Sequence, residues 1–257
     1  MPIVTLTSDF GWQDYYLAMI KGAILCEDPA LNIVDLTHGV KNYDIVQAAF
    51  LFKNAWNSFP KGTVHLISVS DYASPRKRLL AATYRGHYFI APDNGLFSLI
   101  FDQEGPAVYH EIPYNQESSF PLKEAYAKAV AYLSKGRPII ELGPAAEEIE
   151  RRITLQPVTS HSQIRGSIIH LDNFENAITN VSRALFERVG GGRSFKLFFK
   201  RHDPILQLCG QYYEVPVGEP LCLFNSANYL EIAINMGKAA SLLGLKVEDT
   251  IQIDFHS

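Results

Sequence analysis

The stretch that decides the fold is Ile3-Val4-Thr5-Leu6-Thr7-Ser8-Asp9-Phe10-Gly11, with Asp14 close behind. A short apolar run ended by a turn signal reads as a buried strand, and this one delivers two carboxylates onto the turn. After the turn, Tyr16, Met19, Ile20, Ala23 and Ile24 recur at the i, i+3, i+4, i+7 spacing of a helix packing one face on a sheet. The unit reads as strand, acidic turn, helix. Ligands of open α/β sheets collect outside the carboxyl ends of the strands, so acidic groups there point to a polar or cationic ligand. No glycine-rich phosphate cradle accompanies the turn, which argues against nucleotide phosphates. The same residues allow a plainer reading, in which Asp9 or Asp14 caps the helix.

Bulk properties narrow the classes. The chain has 257 residues, 47% hydrophobic and 19% charged, an ordinary globular composition with room for one large or two modest cores. A net charge of −4 and a pI near 6.1 give no support for nucleic acid or an anionic membrane as partner. No apolar run reaches the roughly 18 residues of a membrane span, and the N-terminus lacks a signal-peptide pattern, so a cytoplasmic protein is expected. Cys26, Cys209 and Cys222 are widely spaced in apolar contexts, which indicates neither a disulfide framework nor a zinc site.

Outward from the first strand, strand and helix signals alternate. Strands are expected over 31–37, 64–69, 79–83 and 87–91, and Asp44 is expected to cap a helix whose apolar face is Ile45, Ala48, Ala49, Phe52, Ala55 and Trp56. A further helix is expected over 123–134, stopped by Gly136 and Pro138. This alternation predicts an α/β domain over residues 1–150 with a largely parallel sheet in three layers. Residues 151–163 read as a linker. Beyond it, short strands are expected over 167–171, 194–199, 211–215, 221–224, 230–234 and 250–254, with one helix at 182–189. That spacing predicts a small, all-β, barrel-like domain over residues 164–257. A crevice between unlike domains or between subunits is a favoured ligand site.

Four polar clusters end apolar strands. The first is Asp9 with Asp14. The second is Asp71, followed by the loop Tyr72-Ala73-Ser74-Pro75-Arg76-Lys77 and Arg78. It reads either as a loop ion pair or as a clamp that holds a water, with the arginine depressing the aspartate's pKa so that the pair orients water better than it deprotonates it. The third, Pro92-Asp93-Asn94-Gly95-Leu96, is strong turn chemistry. The fourth is split between 172–180 and 225–231, where five asparagines beside apolar strands need partners: backbone turns, or the edge of a purine and the polar ends of an amino acid.

Together these residues carry a resemblance. TSDFG at 7–11, DLTH at 35–38, PDNGL at 92–96, the Asp172…Asn176…Thr179-Asn180 element and NSANYLEIAIN at 225–235 resemble the S-adenosylmethionine hydroxide adenosyltransferase family, whose relatives include the fluorinase and chlorinase. The similarity runs in register over nearly the whole chain. It implies an α/β domain followed by a β-barrel-like domain, and a homotrimer with sites between one subunit's first domain and the next subunit's second. It also implies hydrolysis of S-adenosylmethionine to adenosine and L-methionine by attack of water or hydroxide on ribose C5′, with no cofactor and no metal. An alternative is a protein that binds S-adenosylmethionine or adenosine without turnover.

Carried over by position, the resemblance assigns Asp9 to the ribose hydroxyls, Asp14 to the methionine ammonium and Asp172 to the methionine end of the substrate. It assigns Asn176 to the adenine and Ser226 to the methionine carboxylate, with Tyr43, Asn94, Asn225, Tyr229 and Glu231 as further substrate contacts. Asp71 and Arg78 are the catalytic candidates. The family takes a histidine from a Phe-His-Gly-Arg-Asp segment, whereas this chain reads Phe120-Pro121-Leu122-Lys123-Glu124. Proline offers no side-chain donor or acceptor. His38, His65, His87 and His110 have ordinary readings as strand-end or surface residues. Leu122 falls near the place where the halogenases put small or hydroxyl-bearing residues, and a leucine beside Asp71 disfavours a halide.

Overall fold

The structure, a computed structural model, describes residues 1–71, 77–101, 105–114 and 120–256. Residues 72–76 of the expected water-handling loop, and the side chain of Pro121, lie outside the described residues. The chain divides into two units, Met1–Thr154 and Leu155–Ser257.

In the first unit the elements run β1 (Ile3–Ser8), α1 (Tyr16–Glu27), β2 (Asn32–Thr37), α2 (Ile45–Lys53), β3 (Val64–Ser68), β4 (Leu79–Tyr84), β5 (His87–Pro92), α3 (Leu96–Phe101), β6 (Tyr109–Ile112) and α4 (Pro121–Ser134). The sheet order is β2-β1-β3-β5-β4-β6, with β2, β1, β3 and β5 parallel and β4 antiparallel to both neighbours. Side chains alternate across the pleat, so Val64 and Leu66 join the core under α1 and α4 while Ile67 and Val69 join the core under α2 and α3. Each fully buried leucine or isoleucine in these layers is worth about 1.5–3 kcal/mol relative to exposure. This is the expected largely parallel three-layer sheet.

Local signals explain two of the helix starts. Asp44 caps α2, its side chain accepting from Gln47 N at 2.9 Å, and Pro121 opens α4 in the first turn, where a missing N–H costs nothing. The face of α1 differs from expectation. Leu17, Ile20 and Ile24 are its buried positions, and Tyr16 and Met19 are exposed. Tyr16 instead meets the rings of Phe10 and Phe120. Neither Asp9 nor Asp14 caps this helix, because its cap position is Tyr15 and no side chain bonds the free amides there.

The second unit runs β7 (Val158–Thr159), β8 (Gln163–Leu171), β9 (Ala177–Ser182), α5 (Arg183–Gly190), β10 (Ser194–Phe199), β11 (Leu208–Cys209), β12 (Pro220–Phe224), β13 (Tyr229–Ile234), α6 (Ala239–Leu243) and β14 (Thr250–His256). β10-β14-β8-β9-β13-β12 form an antiparallel curl, β11 joins β12 in parallel, and β7 pairs β8. A bridge between Leu197 and Ile205 brings the chain beside β10 before it enters β11, giving a half-barrel filled by Ile164, Ile168, Leu230, Ile232, Ile251 and Ile253. The strand expected at 211–215 is instead a 3-10 turn, Tyr212–Glu214, because Glu214 turns back to accept Gly210 N and Tyr212 reaches inward to Glu231. β9 and α6 were not anticipated. The small residues Ala239 and Ala240 give α6 too short an apolar pattern to stand out.

Candidate active site

Because β1, β3 and β5 are parallel, their carboxyl ends lie along one edge of the sheet, and there the first three polar clusters converge. Asp9, 8% exposed, anchors the edge. Its Oδ2 accepts the backbone N–H of Tyr43 at 2.9 Å and of Ser70 at 3.2 Å, while Asn42 Nδ2 donates to its carbonyl at 3.0 Å. Tyr43 and Ser70 both sit in the left-handed region, at φ 67° and 53°, a conformation that non-glycine residues hold only when the surroundings fix it. One carboxylate oxygen thus secures two strained loops. Among the described residues no donor meets its Oδ1. Asp14 is exposed, as is Tyr43, at the rim of this edge.

Asn94 is 1% exposed, and its amide is taken up by the scaffold. Nδ2 donates to the carbonyls of Val69 and Ser70 at 2.9 and 3.2 Å, and Oδ1 accepts Leu96 N at 3.2 Å. It therefore positions the Ser70 turn that Asp9 grips. The following Gly95, at φ +98°, lies against Arg152, and a Cβ there would come within 2.2 Å of the arginine Cγ.

Asp71 follows β3. It is partly buried as a residue, and its carboxyl is enclosed: Ser68 Oγ donates to Oδ2 at 2.6 Å and Tyr126 OH to Oδ1 at 3.0 Å. Burial pushes the carboxyl up to about 7; the two hydroxyl bonds only partly oppose this, and the nearby Asp9 adds to it. The expected depression by Arg78 is absent, because Arg78 is held elsewhere. Its Nε and Nη2 bond Asp93 Oδ2 at 3.1 and 2.5 Å, Nη1 bonds Glu111, and Nη2 also reaches Glu148 O at 2.6 Å. Asp93, 2% exposed, holds Glu150 N at 2.8 Å as well. Arg78 and Asp93 thus fasten β4, β5, β6 and the 148–150 segment to one another.

Sequence reading missed Tyr126, Ser68 and Ser70, whose only signal is position: two are hydroxyls at a strand end, and the third is an aromatic on the inner face of α4. It also placed four histidines too lightly. His38, His65, His87 and His110 are all buried and hydrogen-bonded, at 1%, 0%, 3% and 7% exposure. His65 sits among Phe52, Trp56 and Phe89, bonded to Thr5 and His87, and burial holds its pKa down to about 3.

In the second unit a polar cluster gathers over β9 and β13. Asp172 Oδ1 accepts Phe174 N and Asn176 N at 2.9 and 2.8 Å, and Asn176 Nδ2 donates to its Oδ2 at 3.1 Å. Asn225 Oδ1 accepts Ala227 N and Tyr229 N at 3.0 and 3.2 Å, presenting Ser226 exposed at the turn. Its Nδ2 donates to Glu231 at 3.2 Å, and Tyr212 OH donates to the same carboxyl at 2.8 Å. Glu231 is 2% exposed, and its pKa is raised first by burial and further by Asp172, against the pull of these two bonds. The partners of these two carboxyls are amide N–H groups and the Tyr212 hydroxyl. No cluster of His, Cys, Asp or Glu fit for a metal occurs among the described residues, and no described helix is long and apolar enough to cross a membrane.

A largely parallel sheet with carboxylates along its strand ends, followed by a half-barrel with its own carboxylate and amide cluster, defines the class: an α/β unit joined to a curled β unit. The chain belongs to the SAM hydroxide adenosyltransferase family: residues 4–143 match its N-terminal domain and residues 166–252 its C-terminal domain. It is 33% identical to the (R)-S-adenosyl-L-methionine hydrolase of Thermus thermophilus, over 95% of this chain and 96% of the relative. It is 27% identical to a fluorinase of an Actinoplanes species, over 98% of this chain and 97% of the relative. An uncharacterized conserved protein of Thermotoga maritima superposes with a TM-score of 0.87 at 28% identity, covering 98% of this chain and 99% of the other.

Proposed function

We propose that this protein hydrolyses S-adenosyl-L-methionine to adenosine and L-methionine. A water oxygen forms the new bond to ribose C5′, the C5′–S bond breaks, and its electron pair neutralises the sulfonium. The proton left on the oxygen passes to Asp71. The observation that carries this reading is the carboxyl of Asp71: enclosed, held by two hydroxyls, without a cationic partner among the described residues, and pushed to about 7. A base with that pKa works best near neutrality. Aligning the water with C5′ and keeping other solvent away supplies the rest of the rate.

Asp9, with Oδ1 open, binds the ribose hydroxyls; Asp14 takes the methionine ammonium, Asp172 serves the methionine end, and Glu231 is a further substrate contact. Asn176 meets the adenine, Ser226 the methionine carboxylate, and Asn225 and Tyr229 shape the turn that presents it. Tyr43 stacks at the rim, Asn94 acts by fixing the Ser70 turn beside Asp9 and Asp71, and Arg78 acts by fastening β4, β5 and β6 at the same edge. Pro121 leaves the water without the family's histidine, so Asp71 carries the proton transfer. Leu122 is buried in the α1 and α4 core and offers no hydroxyl to a halide, which favours water as the nucleophile. The protein works as a homotrimer.

Incubating purified protein with S-adenosylmethionine and measuring adenosine and methionine tests this. Equal amounts of both, above the spontaneous rate, are expected. Measurable binding without adenosine replaces the hydrolase with a binding protein, and a different 5′-substituted adenosine replaces water with another nucleophile.

A further inference from the structure

Resting on the reading of Asp71 as proton acceptor, we propose that Ser68, one buried water, Ser8 and His38 form a relay that carries the proton away from Asp71. Ser8 and Ser68 are register partners on the adjacent parallel strands β1 and β3, so their side chains project from the same face of the sheet, toward α1 and α4. Neighbouring strands lie about 4.8 Å apart, a separation suited to one bridging water. A cavity of about 10 Å³ lies there, lined by Ser8, Ser68 and His38 together with Leu6, Leu17 and Leu66. That is room for a single water, and the two hydroxyls give it polar partners.

On one side of the cavity Ser68 Oγ is bonded to Asp71 at 2.6 Å. On the other, Ser8 Oγ lies 2.7 Å from His38 Nδ1, His38 Nε2 lies 3.0 Å from Asp35 Oδ1, and Lys21 Nζ donates to Asp35 Oδ2 at 2.6 Å. A carboxylate only accepts, so His38 Nε2 carries the hydrogen and Nδ1 is left to accept from Ser8. Burial lowers the pKa of His38 against the opposing pull of Asp35, so the ring rests neutral, and it is the Asp35 carboxylate that steadies the imidazolium while a proton passes. Trp12 packs edge-on against this ring, with centroids 4.7 Å apart.

The transfer balances. After hydrolysis Asp71 holds one extra proton. It gives that proton to Ser68 Oγ, which passes its own to the water, which passes one to Ser8, whose hydrogen goes to Nδ1. Asp71 ends as carboxylate and His38 as imidazolium beside the Asp35 carboxylate. Asp35 is partly exposed, so the proton leaves to solvent there. Other ionisable groups also face the two ends: Asp9 and Tyr114 bear on Asp71 along with its partner Tyr126, and Lys21 bears on His38.

Three measurements test the relay, and two need no turnover. A high-resolution crystal structure is expected to show a water within about 2.6–3.2 Å of both Ser8 Oγ and Ser68 Oγ; an empty cavity overturns the proposal. The imidazole ¹⁵N shifts of His38 are expected to move in Asp71→Asn, and unchanged shifts overturn it. In Ser8→Ala and His38→Gln, kcat is expected to fall about tenfold, less than the loss of the base itself, with an enlarged solvent isotope effect and unchanged KM. Two folded variants with normal kcat overturn the relay while leaving hydrolysis standing. If wild-type protein forms no adenosine, hydrolysis fails and the relay's catalytic role with it, while the water and the ¹⁵N shifts still decide whether the hydrogen-bonded chain from Asp71 to His38 exists.

Discussion

Asp9 and Asp71 follow neighbouring strands of one sheet, yet they are held in opposite ways. Asp9 receives two backbone amides and fixes two loops by doing so. Asp71 receives two side-chain hydroxyls and no amide among the described residues, and burial brings its carboxyl to about 7. The difference separates binding from chemistry. A carboxylate gripped by fixed donors keeps its place and its negative charge for a ligand, whereas one enclosed with hydroxyls is poised to exchange a proton.

The sharpest way to break this division is Asp71→Asn. Turnover is expected to fall by about 10²–10⁴, the span of a lost general base, while calorimetry shows S-adenosylmethionine binding retained. Equal losses in kcat and affinity would put Asp71 with Asp9. Next is Arg78→Met, which strands the buried Asp93. A stability loss of about 3–5 kcal/mol is expected in urea unfolding. A folded, fully stable variant that is merely inactive would return Arg78 to the reacting water.

Asp9→Ala leaves the amides of Tyr43 and Ser70 without their acceptor, which costs about 1–3 kcal/mol in unfolding measurements. It is also expected to weaken nucleoside affinity about tenfold, which isothermal titration reads directly, on the scale of a lost hydrogen bond to a charged group. The gentlest effect is with pH. With the carboxyl near 7, kcat is expected to fall to half at about pH 7 and to keep falling as acid protonates Asp71. Stability runs the other way for this residue: its folded pKa is raised above 3.8, so its stabilising contribution is lost as pH rises through about 7, and Asp71→Asn should flatten that slope in unfolding scans.

The parts legible in the sequence are the ones written locally. The apolar run ending at Thr7-Ser8-Asp9 and the Asp44 cap both lie within a few residues of what they control, and so do the turns at Asn94 and Asn225. The partners of Arg78 were not legible: Asp93, Glu111 and Glu148 lie 15, 33 and 70 residues away, and no local pattern joins them. Tyr126, 55 residues from Asp71, is hidden for the same reason. The half-barrel defeated reading at 211–215, where a tyrosine turning inward to a buried glutamate outweighs a strand-like composition.

The two amides on Asp9 Oδ2 have a dynamic consequence. Tyr43 and Ser70 belong to separate loops, 27 residues apart in the chain, yet the left-handed backbones of both donate to the same oxygen. Release of that oxygen frees both at once. Their amide hydrogens should therefore exchange with solvent in a single correlated opening event, and a bound ribose that pins Asp9 should slow the exchange of both by one common factor.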